Sequence, residues 1–476
     1  MPESAIAPSP ELRRRPGLAH AILALGTTAV ILGVGYGLLH ISADVLLLGS
    51  AVVVGIMGAW FGLGWRELQA GILQSILKGL PAMLVVIIVG AMIGSWIAAG
   101  IIPMVVYYGV GLLNPRFFLV TASLAAGVVS LLTGTGYGTI GTIGVAFMGI
   151  AHALGVPPGA AAGAIVAGAY LGDKISPFAA NANLAVAAAQ SDLFEHIVHC
   201  LWTTVPALLA GLAVYLVFNP AGAHGPGIAA DDTLRLTLAA HFRFSAWLLL
   251  PPAITLGAMA LRRPVIPSML ASTAAAAVLA VVVQHASLAD AAAALGTGYV
   301  SHTGIASVDK LLTQGGMLGM MPVTLIAFCA FAYSGLLQKA GLLEPVLARL
   351  LAFATRPGRL IVATGLSCLA VELLTGSAFL CILLPGELFA PAYARLGLAP
   401  KNLSRTIGDC GIVGVPLIPW SIATAFISKT LGVSVAAYAP WAVFCYAGMA
   451  FTVVAGFSGW TVARVPSALR PAPQSS

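Results

Sequence analysis

Apolar runs of roughly 17 to 25 residues recur along this chain, each about as long as a helix crossing the hydrocarbon core of a bilayer. In lipid every backbone donor and acceptor must be satisfied internally, so only helices and closed barrels qualify. The alternating pattern of a barrel strand is absent, and the runs therefore predict an all-α polytopic membrane protein. Of 476 residues, 59% are hydrophobic and 8% charged, against about 25% charged in a soluble domain. The 54 glycines and 29 prolines would cripple soluble helices, but in a membrane they permit close packing and deliberate breaks.

The predicted spans are 18–39, 43–63, 81–100, 117–133, 137–155, a broken 158–190, 200–218, 244–261, 264–284, 320–339, 360–375, 377–395, 405–432 and 436–460, which puts the count at 12 to 14. Segments 65–79 and 286–296 carry charges and read as amphipathic helices near the interface. Residues 219–241 read as a linker. The net charge of +7 is spread through inter-helix loops, where it reports topology and not a nucleic-acid surface. Six scattered cysteines without ligand spacing read as small hydrophobes. Residues 1–17, with Arg13, Arg14 and Arg15, precede an apolar run too long for a signal peptide and followed by no convincing cleavage site. They are expected to be a cytoplasmic tail.

The chain repeats itself. Leu131-Leu132-Thr133-Gly134-Thr135 recurs as Leu373-Leu374-Thr375-Gly376-Ser377 at an offset of 242 residues. At the same offset Gly155 meets Gly397, Gly172 meets Gly414 and Pro177 meets Pro419. With a one-residue slip Pro81 meets Pro322 and Gly100 meets Gly341, so the duplication covers about 81–217 and 322–459. Equivalent loops differ in charge. The 155–159 turn has no basic residue, whereas its counterpart has Arg395, Lys401 and Arg405. The 101–116 loop has Arg116 alone, against Arg349, Arg356 and Arg359. By the positive-inside rule the halves face opposite ways. The expected organisation is a tail (1–17), a first transmembrane helix (18–42), a first repeat (43–218), a linker and connecting helix (219–263), an inverted second repeat (264–460) and a cytoplasmic C-terminal tail (461–476). Inverted repeats are the architecture of secondary transporters, whose sites lie at the midplane where helices break.

Two segments carry that signal. In Gly168 to Pro177, an acid and a base, Asp173 and Lys174, stand with Ser176 amid glycines and a proline, followed by Asn181 and Asn183. Ionisable residues in a span are costly unless paired or hydrated, which makes function the default reading; a buried ion pair that merely fixes the break would use the same residues. Lys174 either pairs with Asp173 or competes with a cation for it. The second segment runs from Gly408 through Asp409 and two prolines to Ser421 and Thr424. Glu372, just before the repeated turn, is a third acid. The duplicated turns Thr133-Gly134-Thr135 and Thr375-Gly376-Ser377 offer hydroxyls and free amides suited to a small ion or carboxylate. The run Gly134 to Thr139 lacks the Gly-Lys-Ser/Thr ending of a phosphate loop, so coupling to ATP is excluded. His152, His196, His199 and His302 lie near helix ends and read as interfacial. No nucleophile, base and orienting group share an arrangement, so neither catalysis nor a cofactor is expected.

On Gly134 to Gly144, Gly172 to Pro177 with Asn183-Leu184-Ala185, Asp192-Leu193-Phe194, Tyr299 to Gly304 leading to Gly315-Gly316, Leu403-Ser404-Arg405, Asp409, Gly411 and Pro416 to Trp420, the chain resembles the NhaC-type sodium/proton antiporter family of the ion-transporter superfamily. The resemblance implies a secondary carrier of a bacterial-type inner membrane that exchanges Na+ for H+, with Na+ held at Asp173, Asn181, Asn183 and Asp409. Some similar carriers move amino acids or carboxylates, so a small organic solute is the alternative. Lipid and a second copy of the chain in a homodimer are the further expected partners, and no nucleic acid. The chain departs from the family pattern at Ala179-Ala180-Asn181-Ala182, where serine, aspartate and two threonines are usual, at Gly408, where an acid is usual, and at Ile412. Each departure removes oxygen from a prospective sodium site.

Overall fold

The computed structural model describes residues 16–218, 228–261 and 263–465; the N-terminal arginines, the start of the linker, Arg262 and the end of the tail lie outside them. Among the described residues the chain is helical throughout, and its only extended pairings are isolated bridges, Tyr299 with Gln314 and Leu398 with Arg464.

The first half contains α1 (Leu18–Gly37), α2 (Ala43–Trp60), α3 (Trp65–Ala98), α4 (Ile101–Leu112), α5 (Phe118–Thr133), α6 (Gly136–Thr139), α7 (Val145–Ala153), α8 (Pro158–Ile175), α9 (Ala180–Ala189) and α10 (Leu193–Val217). Between the halves lie α11 (Ile228–His241), α12 (Leu250–Ala260), α13 (Val265–Val282), α14 (Leu288–Gly296) and α15 (Ala306–Leu312). The second half contains α16 (Met321–Lys339), α17 (Glu344–Phe353), α18 (Pro357–Thr375), α19 (Ala378–Arg395), α20 (Pro400–Ile407), α21 (Ile422–Leu431), α22 (Val435–Tyr438) and α23 (Val443–Ser458).

Nine helices among the described residues are long and apolar enough to cross a bilayer, and counting each of two bent pairs as one span gives eleven. The polytopic all-α expectation holds, and the count falls short of fourteen for local reasons. The expected span 137–155 is divided by a π turn at Ile140–Gly144. The expected span 244–261 holds only an 11-residue helix behind a 3-10 turn, about 16 Å of rise against a core of about 30 Å. Segment 65–79 is no separate surface helix, because α3 runs on through Pro81 for 34 residues. Two expected loops are also helices, α4 and α17, each following a left-handed glycine, Gly100 (φ 83) and Gly341 (φ 64).

Lipid-length helices such as α1 bury one face and present Ile22, Leu23 and Val30 outward. Helix α8 differs: from Ala160 to Ile175 every residue is buried. Its small residues are the cause. A Cβ on Gly168 would lie 2.2 Å from the Ser123 carbonyl oxygen, and one on Gly172 would lie 2.2 Å from the Ser130 carbonyl carbon. Two glycines one turn apart thus let α5 lie against α8 backbone to backbone. Segment α20 and the π turn that continues it (Gly408–Ile412) are also buried, although they are rich in polar side chains.

Candidate functional site

Each half builds a helical hairpin whose tip is its Thr-Gly turn. In the first, α5 leads into Thr133-Gly134-Thr135 and α6 and α7 lead back, bringing the Phe118 and Phe147 rings to 5.9 Å. In the second, α18 and α19 are the arms, with the Thr364 and Tyr393 hydroxyls 3.2 Å apart. The tips match in detail. Gly134 and Gly376 are both left-handed (φ 67 and 64). The Thr135 amide donates to Thr133 Oγ1 at 3.4 Å, and the Ser377 amide to Thr375 Oγ1 at 3.2 Å. The Leu131 carbonyl accepts from Ser176 Oγ at 2.7 Å, and the equivalent Leu373 carbonyl accepts from Trp420 Nε1 at 2.7 Å. Each tip is therefore tied to the break in its own half: Gly134 packs on Phe178, and Gly376 on Trp420, again 242 residues on.

The first break, Ser176 to Ala179, separates α8 from α9. Asn183 braces it, donating to the carbonyls of Pro177 and Ala179 at 3.0 and 2.8 Å, and lies away from Asp173. Asn181 is drawn in, its amide donating to Asp173 Oδ2 at 2.9 Å. Asp173 is 7% exposed; Asn181, Thr135 and Tyr137 are half-buried. The second break follows the π turn. Ser421 Oγ donates to the Val415 carbonyl at 2.9 Å and accepts the Thr424 amide at 3.1 Å, while Thr424 Oγ1 donates to the Pro416 carbonyl at 3.1 Å. Those two hydroxyls hold the break itself.

Lys174 does not pair with Asp173. Successive residues on a helix point about 100° apart, and Lys174 takes a different side of α8, where its ammonium forms an ion pair with Asp409 Oδ1, both side chains fully buried. Asp409 Oδ2 accepts from Thr203 Oγ1 of α10 at 2.8 Å and from Thr452 Oγ1 of α23. Lys174 also donates to Thr203 at 3.3 Å. The acid from one half is thus neutralised by the base from the other. Beneath the pair, His196 approaches the Lys174 carbonyl at 3.3 Å and Ser404 Oγ at 2.9 Å. His196 is fully buried, which corrects its interfacial reading. A Cβ at position 408 would sit 3.4 Å from Lys174 Cγ, so an acid there would face the same ammonium.

Glu372 lies in the last turn of α18, fully buried, and apart from the adjacent Cys381 thiol neither carboxylate oxygen has a hydrogen-bond partner among the described residues. Arg405, taken from the sequence as a loop charge, is also fully buried and donates to the carbonyl and hydroxyl of Thr461 at 3.1 and 2.7 Å. Nearby, a cleft of about 560 Å³ opens between α10, α20 and the segment after α23, lined by Glu195, His199, Lys401 and Thr461. Outside the spans, the Tyr299 to Gly304 motif closes on Asp309. There the backbone and hydroxyl of Thr303, both at 2.7 Å, hold the carboxyl at about 2, with Ser301 and Gly304 assisting. No three His, Cys, Asp or Glu residues converge on a metal position among the described residues.

Sequence reasoning missed Thr203 and Thr452, which nothing in sequence separates from ordinary packing hydroxyls, and it noted Ser404 only within the Leu403-Ser404-Arg405 motif, not as a site residue. It also missed Tyr137, whose phenol lies within electrostatic reach of both Asp173 and Glu372.

The pattern of the Na+/H+ antiporter family matches residues 18–220 and 168–460. An uncharacterised Na+/H+ antiporter of Haemophilus influenzae is 38% identical over 95% of this chain and 98% of its own. The Na+/H+ antiporter NhaC of Alkalihalophilus pseudofirmus is 33% identical over 96% and 99%. The arginine/ornithine antiporter ArcD of Halobacterium salinarum is 32% identical over 94% and 93%.

Proposed function

The chain belongs to the Na+/H+ antiporter family, and from that premise we propose that it exchanges Na+ for H+ by alternating access, with Lys174 and Asp409 as the exchange pair. The observation that carries this reading is the fully buried Lys174–Asp409 ion pair, which joins the broken elements of both halves.

The chemistry follows from charge. Asp409 accepts from Lys174 and from two threonine hydroxyls, so its ionised form is satisfied only while a cation stands at Oδ1. Removing that cation would strand a buried charge at a cost of about 3–5 kcal/mol. Na+ can replace the Lys174 ammonium at Asp409 if Lys174 gives up its proton, and the two cations then exclude one another from one seat. The proton released by Lys174 is the counter-ion of the exchange. Asp173, slightly exposed and held by the Asn181 amide and the Gly136 backbone N–H, serves as the outer carboxylate that draws Na+ in. An amide flip of Asn181 would turn its oxygen to the ion.

The duplication and the charge difference between the hairpin bases support inverted halves at 43–218 and 264–460 with a cytoplasmic N-terminus. Arg116 stands at the base of the first hairpin; Arg356, Arg359, Arg395 and Lys401 stand at the base of the second.

The test is Na+-dependent proton movement in proteoliposomes holding the full chain. Wild type is expected to alkalinise the lumen when Na+ is added outside, and Asp409→Asn to lose at least tenfold of that rate. A wild type indifferent to Na+ that takes up labelled arginine or ornithine would replace ion exchange by solute exchange, the activity named for the Halobacterium salinarum relative.

A further inference from the structure

Of the buried acids among the described residues, Asp173, Glu372 and Asp409, the proposed exchange leaves Glu372 unused. Glu372 has 0% exposure and, among the described residues, no donor to either oxygen except the Cys381 thiol beside it, which is itself directed to the Ala378 and Gly411 carbonyls. We propose that Glu372 is a second proton-binding site, filled and emptied once per cycle, so that two protons move for each Na+; this rests on the exchange reading above.

A buried carboxylate with no donor stronger than a thiol and no counter-cation costs several kcal/mol, so the site must hold some positive occupant. Its surroundings select which one. The titratable groups facing it are Cys381 from α19, Cys368 from its own helix and, at longer range, Tyr137 from α6, with Cys410 of the π turn next to Cys368. None is a cation. Sodium needs several oxygen ligands, and the thiols gathered here are poor substitutes. A proton needs only the carboxyl itself.

The internal repeat supplies an independent argument. Glu372 occupies the position of Ser130, 242 residues earlier. Ser130 Oγ donates to the carbonyl of Ala169. The counterpart of Ala169 is Gly411, whose carbonyl accepts Cys381 Sγ at 3.2 Å, and Cys381 lies against Glu372. The first half thus uses a hydroxyl donor where the second has a carboxyl, and only a protonated carboxyl has an O–H to offer.

Position explains how such a site could empty. The Glu372 carbonyl accepts the amide of Gly376 at 2.7 Å, inside the hairpin tip, and that tip packs on the Trp420 break. A movement of the tip that opens the sodium seat carries Glu372 with it.

The experiment is the pH gradient that stops net Na+ flux against a fixed Na+ gradient at zero membrane potential, in proteoliposomes of the full chain. Fewer protons per Na+ demand a larger balancing gradient. Glu372→Gln is expected to need one about twofold larger than wild type, and Glu372→Ser, which installs the first-half residue, to behave alike. A balancing gradient unchanged in an active variant overturns the proposal. Should both variants fold but not transport, protons released on Na+ binding in detergent decide instead: one fewer per Na+ supports it and an equal number overturns it. A wild type without sodium–proton exchange would overturn the exchange reading, a result distinguishable from the failure of Glu372 alone.

Discussion

Asp173 and Lys174 are neighbours in sequence and strangers in space. Lys174 is tied to Asp409, which predicts a specific pattern of coupling. Lys174→Met or Asp409→Asn alone leaves a buried charge or an unmatched polar seat and is expected to cost about 3–5 kcal/mol. The double variant, with no uncompensated charge, is expected to regain a large part of that stability while exchange stays absent. Thermal unfolding of the four proteins in detergent measures the cycle, and additive losses would mean that the pair is not coupled. The same geometry shows what Gly408 changes. The acid usual in the family would face Lys174, so in this chain Asp409 holds the ammonium without a rival from that position. The absent carboxylate at Ala180 is different in kind, because Ala180 is exposed at the start of α9, away from the fully buried pair.

Among the elements, the two hairpin tips have the same backbone geometry but unequal tolerance. A Cβ on Gly134 would come 2.5 Å from the Phe178 carbonyl carbon, whereas one on Gly376 would stop 3.1 Å from the Trp420 carbonyl oxygen. Both would add the left-handed strain of about 1 kcal/mol. Gly134→Ala must in addition push apart tip and break, and is expected to destabilise more than Gly376→Ala. Melting temperatures in detergent give the order, and equal losses would argue against a rigid tip–break contact in the first half. The π turn at Gly408–Ile412 is the second element with a consequence. Within it the Gly408 carbonyl accepts the amide of Val413 at 3.2 Å, and the looser winding that π turns bring to functional helices presents Asp409 to α8, α10 and α23 together.

Across the whole molecule, the end of the chain secures the element that bears Asp409. Asn402, fully buried near the start of α20, donates to Ala399 and Ala463 carbonyls at 2.8 and 2.7 Å and accepts the Ala463 amide at 3.0 Å. The Val465 amide donates to the Gly397 carbonyl at 2.9 Å, and Arg405 holds Thr461. Helix α20 runs directly into the π turn, so this clamp fixes one end of the exchange site. Asn402→Ala strands several buried backbone groups and is expected to cost about 2–3 kcal/mol. A thermal shift should register it, together with slower exchange. A wild-type melting temperature would show that the clamp contributes nothing to the site.

Apolar run length determined from sequence alone that the chain is a helical membrane protein, because lipid leaves the backbone few alternatives. The 242-residue repeat marked the hairpin tips and breaks, since a Thr-Gly turn needs left-handed backbone wherever it recurs. Asp173, Lys174, Glu372 and Asp409 were legible because charge in an apolar run is expensive. Their partnership was not. Which side of α8 Lys174 takes, which threonines reach Asp409, that Asn183, Ser421 and Thr424 brace breaks, and that Glu372 is left with no donor but a thiol all depend on contacts between segments up to about 235 residues apart. Local pattern records the cost of burying a charge; only the packed helices decide what neutralises it.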